Sequence, residues 1–404
     1  MSYDYEFLDA NNIGDYLRSR DETHSIIDAG RITAIREIGD GNLNLVFHVA
    51  DSEGGSIILK QSLPYVRMTG EGWPMTPERA TREAVSMQTH HALVPELVAE
   101  VISYDPERFI IVIEDLSDHS VWRDALNRGE RHDGVAAELG RYVAAVAVGT
   151  SMLGLDRTEV SQRIASTQNP DLCVITEDLV FTEPVFDIGR NEVLPENADD
   201  AHALAADPVF ALAMGEAKWR FMTQAEALIH GDLHTGSVMV RGADGEAADS
   251  VKAFDSEFAF YGPIAFDLGA LFANYSFAAA RANALGDAER AAWALSLVSE
   301  TWVAFEAEFL RLAAGWHETR LFGEAFARRR LDRIRQEALL FASAKMARRI
   351  VGAAKVRDIE TLEPALRAPA ARAVLLAARD LAGVWETNTD INEFVEIVGT
   401  RVLA

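Results

Sequence analysis

With 404 residues, 49% of them hydrophobic and 25% charged, the chain has globular proportions, which exclude disordered, collagen-like and disulfide-scaffold classes. Its 38 Lys and Arg against 63 Asp and Glu leave a formal net charge of −25, so nucleic acid and anionic membrane surfaces are not expected as partners. The one cysteine, Cys173, allows neither an intramolecular disulfide nor a cysteine-based zinc site, and is expected to be inert core.

Met1 to Glu6 lacks the basic and apolar regions of a signal peptide. The longest uncharged apolar stretch, between Arg141 and Asp156, is too short for a membrane span of about 20 residues. A soluble, cytoplasmic protein is expected. The first third reads as strands: Ile32–Glu37, the turn Gly39-Asp40-Gly41-Asn42, an alternating run over Leu43, Leu45, Phe47 and Val49, a turn at Asp51–Gly55, and Ser56–Lys60. Two tight turns between three strands make an antiparallel meander. Thr76 as N-cap, Pro77 and Glu78 then predict a helix running to about Leu93. Val94–Tyr104 and Arg108–Asp115 read as two more strands.

Beyond Asp118 the spacing is helical, over Ala136–Leu153, Pro208–Leu228, Ala291–Leu312, Glu337–Val356 and Pro364–Thr387. One hairpin, Ser237–Arg241 with Val251–Phe254, interrupts these helices. The expected fold class is α+β, with a small β-rich lobe over residues 1–115 and a large, mostly helical lobe over 116–404. No internal repeat or low-complexity linker separates them.

The segments most charged with chemistry flank that hairpin: His230-Gly231-Asp232-Leu233-His234-Thr235-Gly236-Ser237 before it and Asp255-Ser256-Glu257 after it. A hairpin brings its ends together, so Asp232, Asp255 and Glu257 are expected to converge. Clustered carboxylates repel unless a cation sits among them, and hard oxygen ligands favour Mg2+. The competing reading is three solvated surface acids. Lys60 closes an apolar strand and is expected to point into a cleft, where a cation suits phosphate; otherwise it is an edge-strand lysine that deters aggregation.

A lysine-bearing meander, then His-x-Asp, then Asp-x-Glu resembles the protein-kinase-like two-lobed fold. Within it the chain resembles the small-molecule branch of aminoglycoside, choline and methylthioribose kinases. Five strings narrow the resemblance to the methylthioribose kinase family: Glu37–Asn44, Lys60–Tyr65, Glu71–Pro74, His230–Ser237 and Glu257–Pro263, in order along the chain. The resemblance implies Mg2+-dependent transfer of the ATP γ-phosphoryl group to the anomeric hydroxyl of 5-methylthioribose, in methionine salvage, by an enzyme that pairs as a homodimer. No single residue shows the pairing.

The family pattern assigns ATP to Asn44, Lys60, Glu83, Glu114, Asp115, Leu116, Asp255, Ser256 and Glu257. Lys60 would meet the α- and β-phosphates, oriented by Glu83 or by Glu78 on the same helix. Glu114 to Leu116 would offer main chain to adenine, and Asp255 and Glu257 would hold Mg2+. Asp232 is implied as the general base that takes the acceptor proton. Arg348 and Arg349, on an otherwise apolar helix, are implied as contacts to the sugar; the alternative is one arginine in a buried ion pair and one in solvent. Trp73 reads as a lid over the cleft or as a structural surface residue. His234 is expected to fix the loop backbone only. Two departures stand out: Ser237 where protein kinases use Asn for a second metal, and Ser256 where Pro is expected, which should loosen that turn. Rival functions are an aminoglycoside, choline or other sugar kinase, the first of which the net charge would suit, and a nucleotide-binding scaffold without activity.

Overall fold

Alternating apolar residues along consecutive strands need a surface to bury against, and the N-terminal segment supplies it. The structure, a computed structural model, describes residues 5–38, 44–66, 70–388 and 390–404, without the side chains of 66 and 70–73. The Gly39–Asn42 turn therefore lies outside the described residues, as does the side chain of Trp73. Helix α1 (Ile13–Arg18) precedes strands β1 (Ile32–Glu37), β2 (Asn44–Asp51) and β3 (Ser56–Ser62), and a short hairpin follows, β4 (Tyr65–Val66) with β5 (Gly70–Pro74). Helix α2 (Arg79–Leu93), β6 (Val101–Asp105) and β7 (Ile110–Glu114) complete the small lobe. Its sheet is antiparallel, in the order β1-β2-β3-β7-β6. One face packs Phe47, Val49, Ile57, Leu59 and Val112 against Leu8, Ile13 and Leu17. The other receives Ala80 and Ala84 of α2 on Ile111.

Two boundaries differ from expectation. Helix α2 begins at Arg79, not at Thr76, because residues 76–80 close a turn first: the Thr76 hydroxyl accepts from Glu78 N–H at 3.2 Å and Pro77 C=O from Ala80 N–H at 3.0 Å. Val94 to Leu97 is a turn rather than the start of a strand, and Val98 forms a bridge with Ala253 instead.

The large lobe opens with β8 (Ser120–Val121), α3 (Trp122–Arg128), β9 (His132–Asp133), α4 (Val135–Gly149), α5 (Arg157–Ser166), α6 (Pro170–Thr176), α7 (Ala198–Ala205) and α8 (Pro208–Thr223). The apolar run expected as one helix to Leu228 breaks after Thr223, where Gln224 turns extended. β10 (Ala227–Ile229) then pairs with β14 (Phe260–Gly262). Between these lie β11 (Val238–Arg241), β12 (Glu246–Ala247) and β13 (Ser250–Ala253); β11 and β13 form the expected hairpin. Helices α9 (Ala265–Ala284), α10 (Ala288–Ala313), α11 (Glu324–Val351), α12 (Arg357–Glu360), α13 (Pro364–Val384) and α14 (Ile391–Val402) follow. Helix α9, mostly apolar, is buried along almost its whole length, at the centre of a core shared with α10, α11 and α13. Among the described residues no helix is long and apolar enough to cross a membrane.

Candidate active site

Strand alternation aims Lys60 at the α2 side of the sheet, opposite Ile111 in the β3–β7 register. There its Nζ donates to Glu83 Oε1 at 2.8 Å and pairs with Asp255. Glu78 stays in solvent, 3.8 Å from Arg82, so the partner on α2 is Glu83. Burial alone would depress the Lys60 ammonium, but Asp255 and Glu83 outweigh it and raise its pKa. Burial pushes the Glu83 carboxyl up, with Lys60 pulling the other way, and its second oxygen is buried without a partner.

Fully buried Arg79 donates to Asn44 Oδ1 at 2.9 Å and lies 3.4 Å from Glu257 Oε2, while Asn44 Nδ2 donates to the same Glu257 oxygen at 3.2 Å. Glu83, Asp255 and Glu257 thereby present one oxygen each, all within 4.8 Å of one another. The cluster differs from expectation: Asp255 and Glu257 gather with Glu83, whereas the Asp232 carboxylate is held elsewhere. Asp255 sits at φ +67°, a left-handed conformation rare outside glycine, stabilised by its flanks. Phe254 N–H donates to Ser237 C=O at 3.1 Å, and the Ser256 hydroxyl meets that of Ser86 on α2 at 2.6 Å. Ser256, buried and turned toward α2, ties the turn down rather than loosening it.

At the lobe junction the side chains are already engaged. Glu114 pairs with Lys252 at 3.2 Å, Asp115 accepts from Ser117 and lies 3.1 Å from His48 Nε2, and Leu116 is core.

The loop from His230 to Ser237 follows strand β10, not a helix as expected, and is held by its own side chains together with Asp267. Asp267, in the first turn of α9, accepts the His230 and Gly231 N–H groups at 2.8 and 3.1 Å. His230 Nε2 donates to Phe254 C=O at 3.0 Å, pinning the loop to the Asp255 segment. Gly231 is at φ +80°, and a Cβ there would meet Phe258 O at 2.2 Å, so only glycine fits. The Ser237 hydroxyl donates to Asp232 C=O at 2.9 Å and accepts from His234 N–H at 2.9 Å, so it serves the loop backbone. His234 Nδ1 accepts from Gly236 N–H at 3.1 Å, which leaves the proton of the neutral ring on Nε2, 3.4 Å from Asp232 Oδ2. Asp232 Oδ1 meets Lys345 Nζ at 3.1 Å. Burial would raise the Asp232 carboxyl, but His234, Lys345 and Arg349 outweigh it and hold it well below the usual carboxylate range.

Arg348 and Arg349 reach the same region. Burial lowers the pKa of both, and the Arg348 Nε has no partner. Arg349 donates only weakly, to Ala354 and Lys355 C=O at 3.4 and 3.3 Å. The alternative of one ion-paired and one solvated arginine does not hold: among the described residues no carboxylate pairs with either.

Residues 34–322 match the phosphotransferase enzyme family. A methylthioribose kinase of Yersinia pseudotuberculosis serotype IB (strain PB1/+) is 38% identical over 84% of this chain and 83% of its own length. Another, from Pectobacterium carotovorum subsp. carotovorum (strain PC1), is 37% identical over 89% of each. The chain belongs to the methylthioribose kinase family. Among solved structures, a choline/ethanolamine kinase family protein from Mesorhizobium loti aligns with a TM-score of 0.44 at 13% identity, covering 96% of this chain and 99% of that one.

In this member of the methylthioribose kinase family, four contributors escape a reading of motifs alone: Arg79, Asp267, Arg123 and Lys345. Arg123 on α3 donates to Asn274 at 2.8 Å and lies 3.4 Å from fully buried Asp358. Only Lys345 left a usable signal. It precedes Arg348 and Arg349 by three and four positions, which places all three on one helix face.

Proposed function

We propose that this kinase phosphorylates 5-methylthioribose on its anomeric hydroxyl, with ATP as donor and Mg2+ as cofactor, as a cytoplasmic enzyme of methionine salvage that works as a homodimer. The supporting observation is the arrangement of two charged clusters on either side of one hairpin. Lys60 is buried with Glu83, Asp255 and Glu257 nearby, and across the hairpin Asp232 is held ionised by His234 and by Lys345 and Arg349 of α11.

In this reading residues 1–115 form the nucleotide lobe and 116–404 the acceptor lobe. Lys60 meets the α- and β-phosphates, with Glu83 fixing its position, and Asn44 orients Glu257. Main chain at Glu114, Asp115 and Leu116 receives adenine, since their side chains are occupied. Asp255 and Glu257 suit Mg2+ because they pool hard anionic oxygens with a Glu83 oxygen, and the ion would neutralise phosphate charge there. Asp232 accepts the proton of the attacking hydroxyl. Arg348 and Arg349, with donors to spare, meet the sugar hydroxyls and the transferring phosphoryl group.

The local charge at Asp232 argues against an aminoglycoside, in spite of the −25 overall. Lys345, Arg348 and Arg349 would repel a polycation. The test is an ATP-dependent phosphorylation assay with methylthioribose, ribose, choline and an aminoglycoside. The expected product is a 1-phosphate of methylthioribose formed with the highest kcat/KM. Preference for another alcohol overturns the acceptor, and no turnover on any overturns the kinase reading. Light scattering checks the dimer.

A further inference from the structure

Helix α11 carries Lys345 into the core, where it is 5% exposed with Nζ 4.4 Å from the centre of the Phe266 ring. Burying an ammonium is costly unless it meets an anion, and the anion it meets is Asp232, at 3.1 Å. The two oxygens of Asp232 are therefore dressed differently: Oδ1 by a full charge, Oδ2 by the neutral Nε2–H of His234 at 3.4 Å. Each carboxylate oxygen has two lone pairs, so a third donor can still be received.

We propose that Lys345 is a positioning residue for the phosphoryl-acceptor step: its ammonium orients Asp232 and keeps it ionised beside an incoming triphosphate, ready to receive the acceptor proton. This rests on the reading of Asp232 as general base. In the step itself, the acceptor O–H proton passes to Asp232 and the oxygen forms a bond to Pγ. The bond from Pγ to the β,γ-bridging oxygen breaks, its electrons leaving with ADP. Lys345 neither gains nor loses a proton.

The charged and titratable groups facing Asp232 are Lys345, Arg348 and Arg349 from α11, His230 and His234 from its own loop, and Asp255 across the hairpin; Arg123 of α3 acts on His234, Arg348 and Arg349. The arginines stay charged at every working pH, whereas the Lys345 ammonium titrates within that range. Burial depresses it, with Asp232 pulling back, to about 8. It is charged below that pH and neutral above.

The experiment compares pH profiles of kcat/KM for methylthioribose in the wild-type enzyme, Lys345→Met, Lys345→Arg and Asp232→Asn, with ATP Kd and Tm measured alongside. Wild type should lose activity as pH rises through about 8. Lys345→Arg should retain activity there. Lys345→Met should lose about 10- to 100-fold in kcat through misplacement of the base. Its acid limb should move up by about one pH unit or more, because Asp232 has lost a neighbouring cation. ATP affinity should hold in all variants. A Lys345→Met profile that superimposes on wild type, or a fall in kcat and Tm with the acid limb unmoved, overturns the positioning role while Asp232→Asn remains inactive. Near-wild-type activity in Asp232→Asn instead refutes the base assignment, and the inference falls with it.

Discussion

Asp232 and Asp255 lie on either side of one hairpin yet meet different partners. Asp232 is surrounded by donors that stabilise its anion, and its carboxyl stays ionised far into acid. Asn keeps its shape but cannot take a proton. Asp232→Asn should therefore lower kcat by about 10²-fold or more with ATP Kd unchanged, as steady-state kinetics and calorimetry would show. Asp255 instead shares an oxygen cluster with Glu83 and Glu257 and pairs with Lys60. If that cluster receives Mg2+, either EDTA or Asp255→Ala should weaken calorimetric ATP binding by at least about tenfold, some 1.4 kcal/mol. Unchanged binding in both would remove the metal from the site.

At the scale of elements, the site depends on how closely α9 and α11 approach. α9 supplies Asp267 beneath the His230 loop, and α11 supplies Lys345, Arg348 and Arg349 from the facing side. Gly269 sets their separation: a Cβ there would lie 2.7 Å from Phe341 Cβ and 2.8 Å from Ala338 O and Ala342 N. Two of these three atoms are backbone, so the helices must part. Gly269→Ala should cost about 1–3 kcal/mol, seen as a lowered Tm. It should also lower kcat, because displacing α11 moves Lys345 away from Asp232. A variant with wild-type Tm would mean that the helices separate without strain.

For the molecule as a whole, the two lobes are joined by buried polar bonds. His90 of α2 is one: its Nε2 lies 2.8 Å from Leu228 C=O of β10 and its Nδ1 2.9 Å from the Tyr142 hydroxyl of α4. Burial lowers its pKa to about 3, so it is neutral in the fold at working pH. A histidine whose folded pKa lies below its unfolded value contributes stability that is complete above about 6.5 and is lost as pH falls toward the folded value. Between pH 6.5 and 5 this amounts to roughly 2 kcal/mol. Raised carboxyls such as Asp267 and Glu337 run the other way, so the comparison must be with a variant. The Tm advantage of wild type over His90→Gln should shrink by several degrees from pH 7 to pH 5, and a constant difference would show that His90 does not titrate on unfolding.

Local pattern by itself determined the β meander with Lys60 on its third strand, the helical character beyond residue 118, and the hairpin between Asp232 and Asp255. Each follows from a period of two or 3.6 residues, or from turn residues a few positions apart. Tertiary structure alone decided the rest. Thr76 and Glu78 carry good helix-start chemistry, yet a turn through residues 76–80 delays α2, and Glu83 pairs with Lys60 while Glu78 stays in solvent. Ala227 to Ile229 continues an apolar run and becomes a strand only because Phe260 to Gly262 lies beside it. The assignment of carboxylates was the most consequential difference: chain proximity grouped Asp232 with Asp255 and Glu257, whereas the fold exchanged it for Glu83 and gave Asp232 to Lys345, 113 residues away. Charges so distant in the chain leave no periodicity in it. Which of them meet is set by the packing of α2 on the sheet and of α11 on α9.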